Sequence, residues 1–286
     1  VIRLLLLLAL VILAGCGGGR DPAPKPSMAD DPVAAEVSAA LERDLRALAG
    51  MPPDERLRVQ AGFGERLQRD LEVCRGTRYE NRPLYLLAQW TLANGKADEA
   101  LRLLDRLDIL PSLAFRNAGR DLRVSALLAK GRLREARTIA VGLHAEMPEL
   151  GSLRRVEFHE LVGRPAPPLP GTAVAEAPGT SPFVLVVVIG PPDAIAARAV
   201  AALRQAAGPA TRTVVIATAG DLLGATAAAA EWGVDMRWST LDDPAFEALR
   251  LPGLPAALLL GPGPTRLVAA VNPRAEDLAR LPRAAP

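Results

Sequence analysis

Reactive side chains are scarce in this chain, and their spacing limits the chemistry open to them. Two cysteines, Cys16 and Cys74, and two histidines, His144 and His159, are spread over 286 residues. A thiolate would be the strongest nucleophile available, and it needs a helix N-terminus or a neighbouring cation to form. Neither histidine sits in a ligand-spaced cluster with cysteine, so no metal is expected. Asp193, Asp242 and Asp243 could serve as acid and base in a hydrolysis, but each stands where a helix begins. Aspartate at that position ordinarily caps the backbone, and Asp242-Asp243-Pro244 reads as ordinary helix initiation. Gly17-Gly18-Gly19 follows no strand, so it is no phosphate loop. No cofactor motif is present.

Composition narrows the field further. Half the residues are apolar, enough for a full core, while aromatics are 3% and the net charge is +2. Cations are dispersed without basic runs, and Trp90, Trp232 and Trp238 are too scattered for a stacking platform. No nucleic-acid partner is expected. The arginines at 102, 106, 120, 123, 132, 134 and 137 read as solvated helix faces, with a weak groove for an acidic partner as the sharper alternative.

The amino terminus carries its own chemistry. Leu4 to Ala14 is an apolar run, shorter than the roughly 20 residues that span a bilayer and suited to a secretory leader. It ends in Leu13-Ala14-Gly15-Cys16, which resembles the lipobox of bacterial lipoproteins. That resemblance implies lipidation of Cys16 after removal of residues 1–15, and so a membrane partner through the lipid. Gly17 rather than Asp follows the cysteine, which by the same resemblance implies the outer membrane, facing the periplasm. A lipidated Cys16 leaves Cys74 without a partner in the chain. Residues 16–32 are rich in Gly, Pro and charge and read as a flexible tether.

From 33 to 162 the apolar period is helical. Val33, Val37, Leu41, Leu45 and Leu48 recur at three- or four-residue steps, and a second helix is expected from Asp54 to Cys74. Leu84 to Leu107 reads as two helices broken at Asn94-Gly95. Leu122 to Leu143 reads the same way, broken at Lys130-Gly131, and Gly131 lies 36 residues beyond Gly95. Superposing those turns aligns Ala100 with Ala136 and Leu107 with Leu143. The pattern resembles the tetratricopeptide repeat, of period about 34. Two good copies are below the usual stable minimum, so 33–74 is expected to form a degenerate first pair and 151–161 a capping helix.

Gly163 to Ser181 is proline-dense and reads as a boundary where helix is forbidden. Beyond it strands and helices alternate. Phe183 to Ile189 and Thr211 to Ala217 are continuous apolar strands, buried on both faces. Helices are expected over 193–207, 221–232, 244–251 and 274–281. Short strands are expected over 234–239, 256–260 and 266–271, the last two joined by a turn at 261–264. The chain is therefore multidomain, an all-α helical-repeat domain followed by an α/β domain at 163–286.

That order of elements resembles the thioredoxin fold. Leu161-Val162-Gly163-Arg164-Pro165-Ala166-Pro167-Pro168-Leu169 resembles the opening of redoxin and TlpA-like thiol-disulfide oxidoreductase domains. Leu251-Pro252-Gly253-Leu254-Pro255 resembles their segment before a cis-proline that faces the active-site cysteines, with Pro255 in the proline's place. The departure is at the cysteines themselves. Their two slots fall on Asp193 and Ala196, and a carboxylate or a methyl group cannot exchange disulfides.

The resemblances imply a membrane-anchored, non-catalytic protein. Its helical repeats would bind a protein or peptide, beside a thioredoxin-like domain without redox activity. The competing expectation is a thiol-disulfide oxidoreductase or redoxin-type antioxidant protein that brings Cys74 to the Pro255 region. The bland reading of Cys74 is a small buried apolar residue.

Overall fold

The computed structural model describes residues 30–50, 62–110, 112–166, 168–175, 183–209, 211–261 and 265–271. The leader, Cys16, the tether up to residue 29, the Asp54 helix start, the hairpin turn at 262–264 and the helix expected over 274–281 lie outside those residues. The chain divides into two compact units, Val1–Leu150 and Gly151–Pro286.

The first unit is helical. Its elements are α1 (Pro32–Gly50), α2 (Phe63–Cys74), α3 (Asn81–Ala93), α4 (Ala97–Ile109), α5 (Leu113–Ala129) and α6 (Leu133–Glu146). Each helix packs on the next, and α1 touches α3 as α3 touches α5, which makes a layered stack of helical hairpins. The hairpin turns are set by backbone chemistry. Gly95 and Gly131 take φ of 79° and 71°, the left-handed region that glycine enters without a Cβ clash. After each turn an alanine, Ala100 or Ala136, is fully buried, and its small side chain lets the paired helix approach closely. Leu101, Leu104 and Leu107 continue the buried stripe of α4 at the spacing one helix face requires. Tyr85 of α3 meets Phe115 of α5 edge-on at 6.0 Å.

Cations tie neighbouring helices together. Arg123 of α5 bonds Asp105 and Asp108 of α4 at 2.7 and 2.8 Å. Lys130 reaches Asp98 at 2.7 Å, and Arg120 reaches Glu146 at 3.0 Å.

The second unit is α/β. It contains α7 (Ser152–Glu160), β1 (Thr172–Ala175), β2 (Phe183–Ile189), α8 (Ala194–Ala207), β3 (Thr211–Ala217) and α9 (Leu222–Trp232). Then follow β4 (Asp235–Trp238), α10 (Pro244–Leu249), β5 (Ala256–Leu260) and β6 (Arg266–Val271). Six strands form one sheet in the order β1-β4-β3-β2-β5-β6. Strands β2, β3 and β4 are parallel, β5 runs antiparallel to β2, and β6 antiparallel to β5.

Alternate residues of β2 point to opposite faces, and both faces are covered. Leu185, Val187 and Ile189 join Val200, Leu203 and Ala228 from α8 and α9. Val186 and Val188 join Phe158, Phe246 and Leu249 from α7 and α10. Two-sided burial explains why the strand is apolar throughout rather than alternating.

Two expectations change. The helix expected over 151–161 forms as part of the α/β unit, with Phe158 fully buried against the sheet. The division therefore falls at Leu150/Gly151 rather than Val162/Gly163. The proline-dense boundary also contains a strand, β1, added antiparallel to the edge of β4. Prolines exclude a helix there, but an edge strand tolerates nearby ones.

Candidate functional site

The parallel strands end together. Ile189 pairs with Ala217, Ala217 with Trp238, and Val188 with Ala256. One end of the sheet therefore gathers Gly190–Asp193, Thr218–Asp221, Ser239–Asp243 and the Leu254–Pro255 step. That end, at the carboxyl termini of parallel strands, is where open α/β sheets place their ligands. The Leu254–Pro255 peptide bond, at the position read as the proline slot, is cis.

Three helices start at this end, and an aspartate caps each of them. Asp193 Oδ1 accepts the Ala196 N–H at 2.9 Å, and Asp221 Oδ1 accepts the Gly224 N–H at 2.6 Å. Asp243 Oδ1 accepts the Ala245 N–H at 2.9 Å, while its Oδ2 takes the Ser239 hydroxyl and the Gly171 N–H. The N–H groups that would otherwise attract an anion are thus partly spent on the protein's own carboxylates.

These bonds also fix the charge state. Hydrogen bonds from the Ala245 N–H, the Ser239 hydroxyl and the Gly171 N–H hold the Asp243 carboxyl below its ordinary range. A bond from the Thr240 side chain, with Asp242's own N–H, does the same for Asp242. A general acid needs a raised pKa at neutral pH, so this pair is poorly suited to proton donation. Ala196 is buried in the core with Val200 and Leu203. The second slot is a packed methyl group, and the first is a helix cap.

Cys74 is elsewhere. It ends α2 in the helical unit, fully buried, with its thiol directed at the Ala34 carbonyl 3.7 Å away. Burial, then the nearby Asp70, Glu80 and Asp31, push the thiol up to about 11. A reactive cysteine needs the opposite environment.

The two histidines belong to different units. His144 is exposed on α6, and His159 lies in α7 of the other unit, where burial and Arg155 push it down to about 4. Among the described residues no three His, Cys, Asp or Glu side chains are grouped to hold a metal ion. No helix among them is long and apolar enough to cross a membrane.

No protein-family model, curated protein or solved structure matches this chain.

Several residues that shape the site gave little signal in the sequence. The Thr218 hydroxyl donates to the Ile189 carbonyl at 2.8 Å, which ties β3 to the end of β2. Arg237 donates to the Pro170 and Gly171 carbonyls and fastens the approach to β1. A Cβ on Gly171 would collide with the Trp238 carbonyl and the Ser239 side chain, so glycine is required where the chain crosses β4. Each of these contacts joins positions far apart in sequence. The arginine faces of the helical unit are also less free than the sequence implies, since Arg106, Arg120, Arg123 and Arg132 all hold carboxylates.

Proposed function

We propose that this chain is a lipid-anchored, non-catalytic binding or scaffold protein of the bacterial cell envelope. Cys16 carries the lipid, and the outer membrane facing the periplasm is the destination. The helical unit is a tetratricopeptide-like array that binds a protein or peptide. The α/β unit is a thioredoxin-like domain without redox chemistry. Support for the first assignment comes from the glycine turns at 95 and 131, the buried alanines that follow them, and the contacts between alternate helices. Support for the second comes from the strand order.

One observation carries the non-catalytic reading. At the sheet end where a thiol would have to stand, Asp193 is bonded to its own helix and Ala196 is packed into the core. The competing oxidoreductase reading requires Cys74 as a thiolate, and a buried thiol pushed up to about 11 opposes it.

The test is catalytic and uses the full chain in detergent. Insulin reduction and peroxide turnover should stay at the rate of the uncatalysed controls. Turnover that disappears in Cys74→Ser would overturn the proposal and establish the oxidoreductase.

A further inference from the structure

Helix α9 is apolar on every side. Glu231 is the one charged residue among the eleven from Leu222 to Trp232. A helix of that composition is ordinarily buried all round. Among the described residues only one side of α9 is covered, where Ala225, Ala228 and Ala229 pack into the core over the sheet. On the other side Leu222 and Leu223 are 51% and 80% exposed. Thr226, Ala227 and Ala230 are exposed with them, and the spacing puts all five on one stripe down the helix. The Thr226 hydroxyl donates to the Leu222 carbonyl at 2.8 Å, so the stripe holds no side-chain donor that calls for water. Two adjacent exposed leucines, continued by methyl groups, make contiguous apolar surface of the kind that marks an interaction site.

The order of side chains along the stripe selects the partner. Bulk stands at its amino end and small residues at its carboxyl end. Laid antiparallel on a copy of itself, about a two-fold axis at Thr226–Ala227, α9 sets Leu223 against the small Ala230 of the second copy. A parallel fit would crowd leucine on leucine and leave a gap between the alanines. Charge favours the same arrangement. Asp221 is exposed at the amino end of α9. Arg204 is exposed at the carboxyl end, donating to the Trp232 and Gly233 carbonyls at 3.0 Å. The antiparallel fit brings Asp221 of each copy towards Arg204 of the other, and Glu231 towards the positive start of the facing helix. Such a contact uses the same surface twice, so it closes at two copies.

We infer that the α/β unit pairs with a second copy of this chain through the exposed face of α9. Leu223 is the anchor, Ala230 of the second copy receives it, and Thr226 and Ala227 lie at the axis. The pairing is independent of thiol chemistry, so a monomeric chain would leave the non-catalytic reading standing.

The experiment combines native mass spectrometry of the full chain, released from neutral detergent, with copper-catalysed disulfide trapping. The chain should register as a dimer. Leu223→Glu should weaken self-association about tenfold, the loss expected when one buried leucine is returned to water. Ala202→Glu, on an exposed position of α8, should leave it unchanged. Ala227→Cys, next to the axis, should trap a covalent dimer. Leu223→Cys should trap little, because its two copies stand about 10 Å apart along the helices, beyond the reach of a disulfide. Ala202→Cys should also stay monomeric, and the unsubstituted chain gives the background from the native cysteines. All three positions are exposed, so these variants test association rather than folding. A monomer at every concentration, a dimer indifferent to Leu223→Glu, or trapping at Leu223→Cys or Ala202→Cys as ready as at Ala227→Cys would each overturn the pairing. Protection of the leucines by lipid vesicles, with no dimer, would overturn it too and give the face to a membrane surface.

Discussion

Asp193 Oδ1 accepts the backbone N–H of Ala196 at 2.9 Å, so the two residues are bonded to one another as cap and first turn. The bond assigns Asp193 a structural task that needs an acceptor oxygen and no proton transfer. Asp193→Ala should therefore cost about 1 kcal/mol of α/β-unit stability, and Asp193→Asn a few tenths. Urea unfolding of the two variants checks this. Equal damage from both would mean that the carboxylate's charge, not its cap, is what matters.

The burial of Cys74 makes a kinetic prediction. With the thiol pushed up to about 11 from an ordinary 9.0, its thiolate fraction at pH 8 falls about a hundredfold. Iodoacetamide should label Cys74 slowly in the folded chain and quickly in urea. The sign of the linkage follows. The folded state holds this proton more tightly, so its contribution is intact below pH 9 and is lost as pH rises towards 11. Cys74→Ala should flatten stability over that window. Rapid labelling of the native chain would show an exposed, activated thiol and revive the oxidoreductase reading.

How much of this was legible in the sequence depended on the range of the contacts. The run over 183–189 declares a strand buried on both faces, because it is short and rich in β-branched residues as well as apolar throughout. Gly95 and Gly131 declare turns, because a short-range backbone need selects the residue. Helix α7 was legible as a helix but not as part of the α/β unit. Its buried Val156 and Phe158 fit any apolar neighbour, and nothing local says which. Strand β1 was missed for a related reason. It pairs with β4, which lies far along the chain, and a proline-dense stretch carries no alternating pattern. The site shows the same division. Asp193 and Asp243 read correctly as caps, whereas Gly171, Thr218 and Arg237 act through contacts that only folding creates.

The place of α7 can be tested directly. Phe158 is fully buried among Val186, Val188 and Phe246, and truncating such a ring costs about 3–5 kcal/mol. Phe158→Ala should speed amide exchange through β2 and β5 while leaving α3 to α6 protected. Faster exchange in the helical unit instead would return the helix to the role of its cap.

His159 sets a pH limit on the same unit. Burial, with Arg155, pushes it down to about 4 from 6.5, so the folded state disfavours its proton. Its contribution is complete above pH 6.5 and is lost as pH falls towards 4. Stability should decline across that window, and His159→Gln should remove part of the slope. His144 is exposed, and His144→Gln should leave the profile nearly unchanged, which separates a buried histidine from histidines in general.

In the helical unit the contact to break is Glu80 with Arg106. Glu80 is 3% exposed; one oxygen takes the Arg106 guanidinium at 2.5 Å, and the other takes the Gly76 N–H at 2.6 Å. Removing one partner of a buried pair leaves the other uncompensated, at a cost of about 3–5 kcal/mol when both are fully buried. Arg106 is a third exposed and can turn to water, so Arg106→Ala should cost less than Glu80→Ala, which also strands Gly76. About 1 kcal/mol against about 2 kcal/mol is the expected order. A double-mutant cycle on urea unfolding gives the coupling, and equal costs for the two single variants would show that the Gly76 bond contributes nothing. That bond holds the link between α2 and α3, so its loss should also loosen the first hairpin of the stack before the last.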